Sequence, residues 1–169
     1  MNLDLDFQTD YFRAADDTAV RTVMADKTAK PAESFESVRA KRVDPTTVLR
    51  RLVAAIDAKE FEPGGAPDRS IWPTGPQPWT TGDDEAVTEV DQEDPWMTGP
   101  WVVELSDETR DALATIERKR LPELAARWAR AEELRPVPAA ELVQLIHRLG
   151  VLARRAKKAE QHLYCSLSG

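Results

Sequence analysis

The chain has one cysteine, Cys165, among 169 residues, which excludes an internal disulfide and any all-cysteine zinc cage. It has no apolar run near the roughly 18 residues that would span a bilayer, so no membrane partner is expected. The opening Met1-Asn2-Leu3-Asp4-Leu5-Asp6 carries neither the positive stretch nor the long apolar stretch of a secretory signal, and a cytoplasmic location is expected. Basic residues are in deficit: Lys+Arg number 23 against Asp+Glu 30, for a net charge of −7. A dedicated nucleic-acid binder needs a basic face, so no nucleic-acid partner is expected. Two recurrent catalytic motifs are also missing. Gly64-Gly65-Ala66-Pro67 lacks the following Lys-Ser/Thr of a phosphate loop, and no Gly-x-Ser-x-Gly elbow occurs.

What is present suits one domain over residues 1–169. A chain of this length buries roughly 70% of its extended surface, enough for a real core. Hydrophobic content of 41% and charged content of 31% fit a globular protein better than a disordered one. The charge is uneven. Residues 1–69 hold 13 acids and 11 bases, residues 70–109 hold 10 acids and no base, and residues 110–169 hold 7 acids and 12 bases. The acidity therefore belongs to one stretch of 40 residues, and the last third is basic. Between 58 and 100 lie seven of the 12 prolines and five of the seven glycines, a density that prevents long helices and central strands. Trp72, Trp79, Trp96 and Trp101 fall in or beside this region. The reading is a long, partly ordered excursion over 58–100, with an acidic loop at 82–95, pinned to the body by aromatic anchors.

Periodicity supplies the elements. Residues 10–14 suggest a first strand, and Asp16 caps a helix carrying Val20, Val23 and Met24 on one face. Residues 35–40 give a weaker strand. Asp44-Pro45 pairs a capping carboxylate with proline at the first helical position, and Leu49, Leu52, Val53 and Ile56 follow at i, i+3, i+4 and i+7. Residues 70–73 and 101–105 are expected as strands. Ser106 caps a helix with Asp107 and Glu108 in its first turn and Arg118-Lys119-Arg120 near its end, both favourable to the helix dipole. Pro122 opens another helix and Pro138 the longest, to about Glu160. In His162–Leu167 the residues alternate: Leu163, Cys165 and Leu167 on one face, His162, Tyr164 and Ser166 on the other. Helices alternating with strands predict an α/β fold: a single compact three-layer sandwich with a mixed sheet, helices on both faces, and a last strand reached by a crossover.

Tyr11-Phe12-Arg13-Ala14, Asp44-Pro45, Ile71-Trp72-Pro73, Gly99-Pro100-Trp101-Val102-Val103 and the closing Leu152–Leu167 resemble the bacterial YfbM-like proteins. The resemblance covers most of residues 10–169. It implies a compact α/β sandwich, and because that family has no known function it names no catalytic residue. The acidic stretch 82–95 departs from the family's pattern.

The search for chemistry yields little. Cys165 is expected as a buried, inert thiol. His162 and Cys165 are three apart on a strand and so on opposite faces, which rules against a zinc pair. His147 beside the apolar stripe reads as a boundary histidine. The acids Asp83 to Asp94 lack the ligand spacing of a helix–loop–helix calcium site. No catalytic residue, cofactor or metal site is assigned.

The leading expectation is a small, non-enzymatic binding protein, concretely an immunity-type or antitoxin-like inhibitor that docks a basic protein partner. Trp72, Trp79 and Trp96 would supply contact area, and Asp83, Asp84, Glu85, Glu89 and Asp91 would steer the partner. Two rivals stand beside it. One is an enzyme of unknown reaction type, with a Trp- and carboxylate-lined pocket at the strand ends near Trp72, Trp79 and Trp101. In the other, the carboxylates only face the basic C-terminal helix, where Arg148, Arg154, Arg155, Lys157 and Lys158 lie.

Overall fold

The computed structural model describes residues 8–62, 68–75, 77 and 92–168. Five strands form one sheet: β1 (Gln8–Ala14), β2 (Ser37–Arg39), β3 (Arg69–Trp72), β4 (Trp101–Glu104) and β5 (His162–Ser168), in the order β2-β1-β5-β4-β3. Seven helices accompany them among the described residues: α1 (Asp17–Ala25), α2 (Pro31–Ser34), α3 (Val48–Ile56), α4 (Pro95–Thr98), α5 (Asp107–Ala114), α6 (Leu121–Trp128) and α7 (Ala139–Lys158). The fold is α/β, as the alternation predicts.

Alternation along the strands builds two cores on the two sides of the sheet. Tyr11, Leu163 and Cys165 point to one side, where they meet Leu49 and Leu52 of α3, Leu113 of α5, Leu124 and Trp128 of α6 and Ile146, Leu149 and Ala153 of α7. Phe12, Ala14 and Tyr164 point to the other, against Val20 and Met24 of α1, with Ile71 and Val102 from β3 and β4. The Phe12 ring stacks between Phe35 at 5.2 Å and Tyr164 at 5.6 Å. Helices thus cover both faces, and the three layers are α1/α2, the sheet, and α3/α5/α6/α7.

The sheet is antiparallel at every pairing, not mixed. The expected crossover into β5 does not occur, and α5, α6 and α7 lie between β4 and β5 in the chain. The chain comes back to the end of β4 that it left, where Leu105 N–H donates to the Leu163 carbonyl at 2.9 Å. Facing periodicity is the same for parallel and antiparallel neighbours, so the strand sequences alone carry no sign of this.

Local signals fared unevenly. Asp16 accepts from Ala19 N–H at 2.9 Å, and Ser106 caps α5 through Thr109 N–H at 3.2 Å. Asp44 does not open the helix directly. Its carboxylate takes the N–H groups of Thr46, Thr47 and Val48, closing a turn around two β-branched threonines, and α3 starts at Val48. α5 stops at Ala114, well before Arg118-Lys119-Arg120, and Thr115 Oγ1 donates to the Ala112 carbonyl at 2.6 Å. Those bases form a separate 3₁₀ turn, from which Arg120 Nη1 donates to the Ile56 carbonyl at 3.0 Å. The cation complements the C-terminal end of α3, not that of its own helix.

Three acidic protons are held in these cores. Burial pushes the Tyr11 hydroxyl well above its ordinary 10.0, and Cys165 comes second among the causes. Burial, then the hydrogen bond to Asp17, raises Tyr164, and burial raises the Cys165 thiol above 9.0. The native state therefore keeps protons that the unfolded chain releases. Stability from these groups is complete below about pH 8.5 and falls as pH rises through the ordinary values. The urea midpoint is expected to drop steeply between about pH 8 and pH 10.5. A midpoint that stays level over that range would contradict the assignment.

Candidate functional site

The sheet's β3–β4 edge carries both a polar cluster and Trp72, Trp96 and Trp101, at opposite ends of the strands. β3 and β4 pair antiparallel, with Arg69 opposite Glu104 and Trp72 opposite Val102, and an irregularity between Ser70 and Trp72.

At one end, the Arg69 guanidinium donates to both Asp17 of α1 and Glu104 of β4, and the Tyr164 hydroxyl donates to Asp17 at 3.0 Å. The two carboxyls have opposed proton affinities. Burial raises Glu104, and the neighbouring Asp17 adds to this, so that together they outweigh Arg69. Burial also acts to raise Asp17, but hydrogen bonds with Glu104, Arg69 and Tyr164 prevail and hold it below its ordinary range. A split of this kind is how one carboxyl keeps a proton while its neighbour stays ionised. Close by, His162 Nδ1 lies 2.8 Å from Asp107, and Arg110 donates to the Gln161 carbonyl at 2.9 Å. An open cleft of about 370 Å³ bounded by Asp17, Arg21, Arg69, Glu104 and His162 exposes the cluster. The residues are 52 and 35 positions apart in the chain, so sequence spacing gave no hint of them. The available signal was Glu104 itself, the one charge inside Trp101–Leu105.

At the other end, Trp101 Nε1 donates to the Trp96 carbonyl at 2.9 Å. Gly99, at φ 68°, lies under the Trp101 ring, where a Cβ would come within 2.7 Å of a ring carbon; only glycine fits both the conformation and the approach. Asp94 caps the α4 turn by accepting from Trp96 N–H at 2.8 Å. Trp72, Trp96 and Trp101 are each half-buried, and Met97 is 47% exposed. Trp72 packs against the cluster on the side of the sheet that holds Val102, whereas alternation along β4 places Trp101 on the face of Val103, on the opposite side of the sheet. The structure therefore does not bring Trp72 and Trp101 into one pocket. It separates them across β4, and the carboxylate cluster is at the far end of the strands from both.

Of the expected partner-binding residues, Trp72 and Trp96 are placed at this edge. Trp79, Asp83, Asp84, Glu85, Glu89 and Asp91 lie outside the described residues. Acids of the body engage two cations of the basic C-terminal helix, and a carbonyl engages a third. Arg155 pairs with Glu36 at 3.0 Å, Lys157 with Asp111 at 3.8 Å, and Arg154 donates to the Ile116 carbonyl at 2.9 Å. α7 packs on β1, β2 and β5, away from the β3–β4 edge. Cys165 is buried and His147 half-buried, as expected of them. Among the described residues no group of three or more His, Cys, Asp or Glu could hold a metal ion, and no helix is long and apolar enough to cross a membrane.

No family model, curated protein or solved structure matches the chain.

Proposed function

We propose that this is a small binding protein of the immunity or antitoxin type, which docks a basic protein partner through the stretch between β3 and β4. The observation that carries this reading is where the acidic stretch attaches. The connection between β3 and β4, residues 73–100 with seven acids and no base, leaves the sheet after Trp72 on the edge strand and returns to it at Trp101, beside the half-buried Trp72 and Trp96. Of the cations that the rival, self-neutralising arrangement needs, Arg154 and Arg155 on α7 already bind the Ile116 carbonyl and Glu36. Indole area next to an excess of one charge is the composition of an interface with an oppositely charged partner. Kinship with the YfbM-like proteins, carried by Tyr11–Ala14 and the terminal strand, belongs to the same proposal and adds no activity of its own.

The test is affinity capture from the source organism's lysate with the natural chain and with a variant in which Asp83, Asp84, Glu85, Glu89 and Asp91 are changed to Asn or Gln. A basic protein is expected to bind the natural chain. Its association rate should fall at least about tenfold between about 50 and 300 mM salt, and the neutralised variant should lose it. A partner retained equally by both chains would overturn the reading. The opposed proton affinities of Asp17 and Glu104 favour a second reading, an enzyme that moves a proton at that pair. The same capture separates the two, because partner binding through the acidic stretch is indifferent to Asp17→Asn.

A further inference from the structure

On the opposite edge of the sheet, the turn after β2 and the first half of α7 enclose a cleft of about 610 Å³. Its charged lining is Arg39, Lys41, Arg42 and Arg148 against one acid, Glu141. Arg39 is held by Asp10 at 3.2 Å, while Lys41, Arg42 and Arg148 form no ion pair with any described residue. In a chain of net charge −7 this is a marked local excess of positive charge.

The backbone holds the cations in place. Arg42 has φ 66°, a left-handed conformation that costs free energy for any residue with a Cβ. The turn is clamped on both sides by β1. Ala40 N–H donates to the Thr9 carbonyl at 2.8 Å, Thr9 Oγ1 donates to the Ala40 carbonyl, and the Tyr11 hydroxyl donates to the Val43 carbonyl at 2.6 Å. Ala40 and Val43 are buried, while Lys41 is exposed and Arg42 half-buried between them. Two residues held between fixed points line the cleft together with Arg148, and their backbone has little freedom left to lose on binding. Val137 and Leu145 supply an apolar wall.

We infer that this cleft is a binding site for a small phosphorylated molecule, with its phosphoryl group between Lys41, Arg42 and Arg148 and its organic part against Val137 and Leu145. Two guanidinium groups can meet phosphate oxygens with paired hydrogen bonds, and the volume is that of small-ligand sites. This site is independent of the acidic stretch and stands whether or not that stretch finds a partner.

Amide chemical shifts followed during titration with AMP, with adenosine as the uncharged control, test it. AMP is expected to move Lys41, Arg42 and Arg148 saturably, and adenosine far less. Arg148→Ala, on an exposed helix position, should weaken AMP binding about tenfold or more. Glu141→Gln should tighten it, because it removes the one opposing charge. No saturable shift with AMP, equal shifts with adenosine, or an affinity unchanged in both variants would each overturn the site.

Discussion

A chain ending at Gln161 is expected to show no cooperative unfolding transition. β5 is the middle strand, paired with β1 over seven positions and with β4 over four. Removing it divides the sheet into the pairs β2-β1 and β4-β3, and isolated two-stranded pairs are marginal in water. Leu163, Tyr164 and Cys165 are each no more than 2% exposed, and they close the two cores from the middle. Their loss opens both faces at once, where a point substitution in one core would leave the other intact. Near-ultraviolet circular dichroism and urea titration would read the result. A truncated chain that kept a sharp transition and a native near-ultraviolet spectrum would show that the two halves of the sheet are independently stable, contrary to this description. Loss of Ser168 and Gly169 alone touches only the end of the ladder and is expected to leave the transition sharp.

Trp128→Ala is expected to cost about 3–5 kcal/mol. Trp128 is 1% exposed and is the largest fully buried side chain among the described residues. It belongs to the core that α3, α6 and α7 share, and its Nε1 donates to the Val48 carbonyl at 2.8 Å, fixing the start of α3. The expected loss is a large share of the ~5–15 kcal/mol by which domains of this kind are stable. Trp128→Phe separates packing from the hydrogen bond. It keeps an aromatic ring in the core and gives up the donor, so about 1 kcal/mol is expected from the bond, plus a smaller packing term. Equilibrium urea denaturation of both variants checks the order. If phenylalanine proved as damaging as alanine, the hydrogen bond to α3 would be the dominant contribution.

The one-dimensional features were legible wherever a single element decided them. The alternation of Leu163, Cys165 and Leu167 against Tyr164 and Ser166 predicts the two-faced strand that is observed, and Asp16 and Ser106 cap the helices they precede. Pairing direction was not legible, because alternation states which way side chains point and nothing about the neighbouring strand. The ion cluster was hidden for a related reason. Asp17, Arg69 and Glu104 come from three elements, and only the β3–β4 register places Arg69 opposite Glu104. The tryptophans illustrate the converse. Their positions at strand ends suggested one pocket, but Trp72 and Trp101 sit on adjacent strands with opposite orientation, and pleating sends them to different sides. Lys41-Arg42 carries no distinguishing signal in the sequence. Its meaning rests on Thr9 and Tyr11, some thirty residues earlier, which fasten the turn.

The sheet's two seven-residue strands, β1 and β5, lie side by side in its interior, and its outer strands are only three and four residues long. A long unsatisfied backbone ladder invites a second chain to zip on and start a fibre, and brevity at the rim removes that template. The short border strands leave a second copy little backbone to extend, even where the chain between β3 and β4 is attached at one of them.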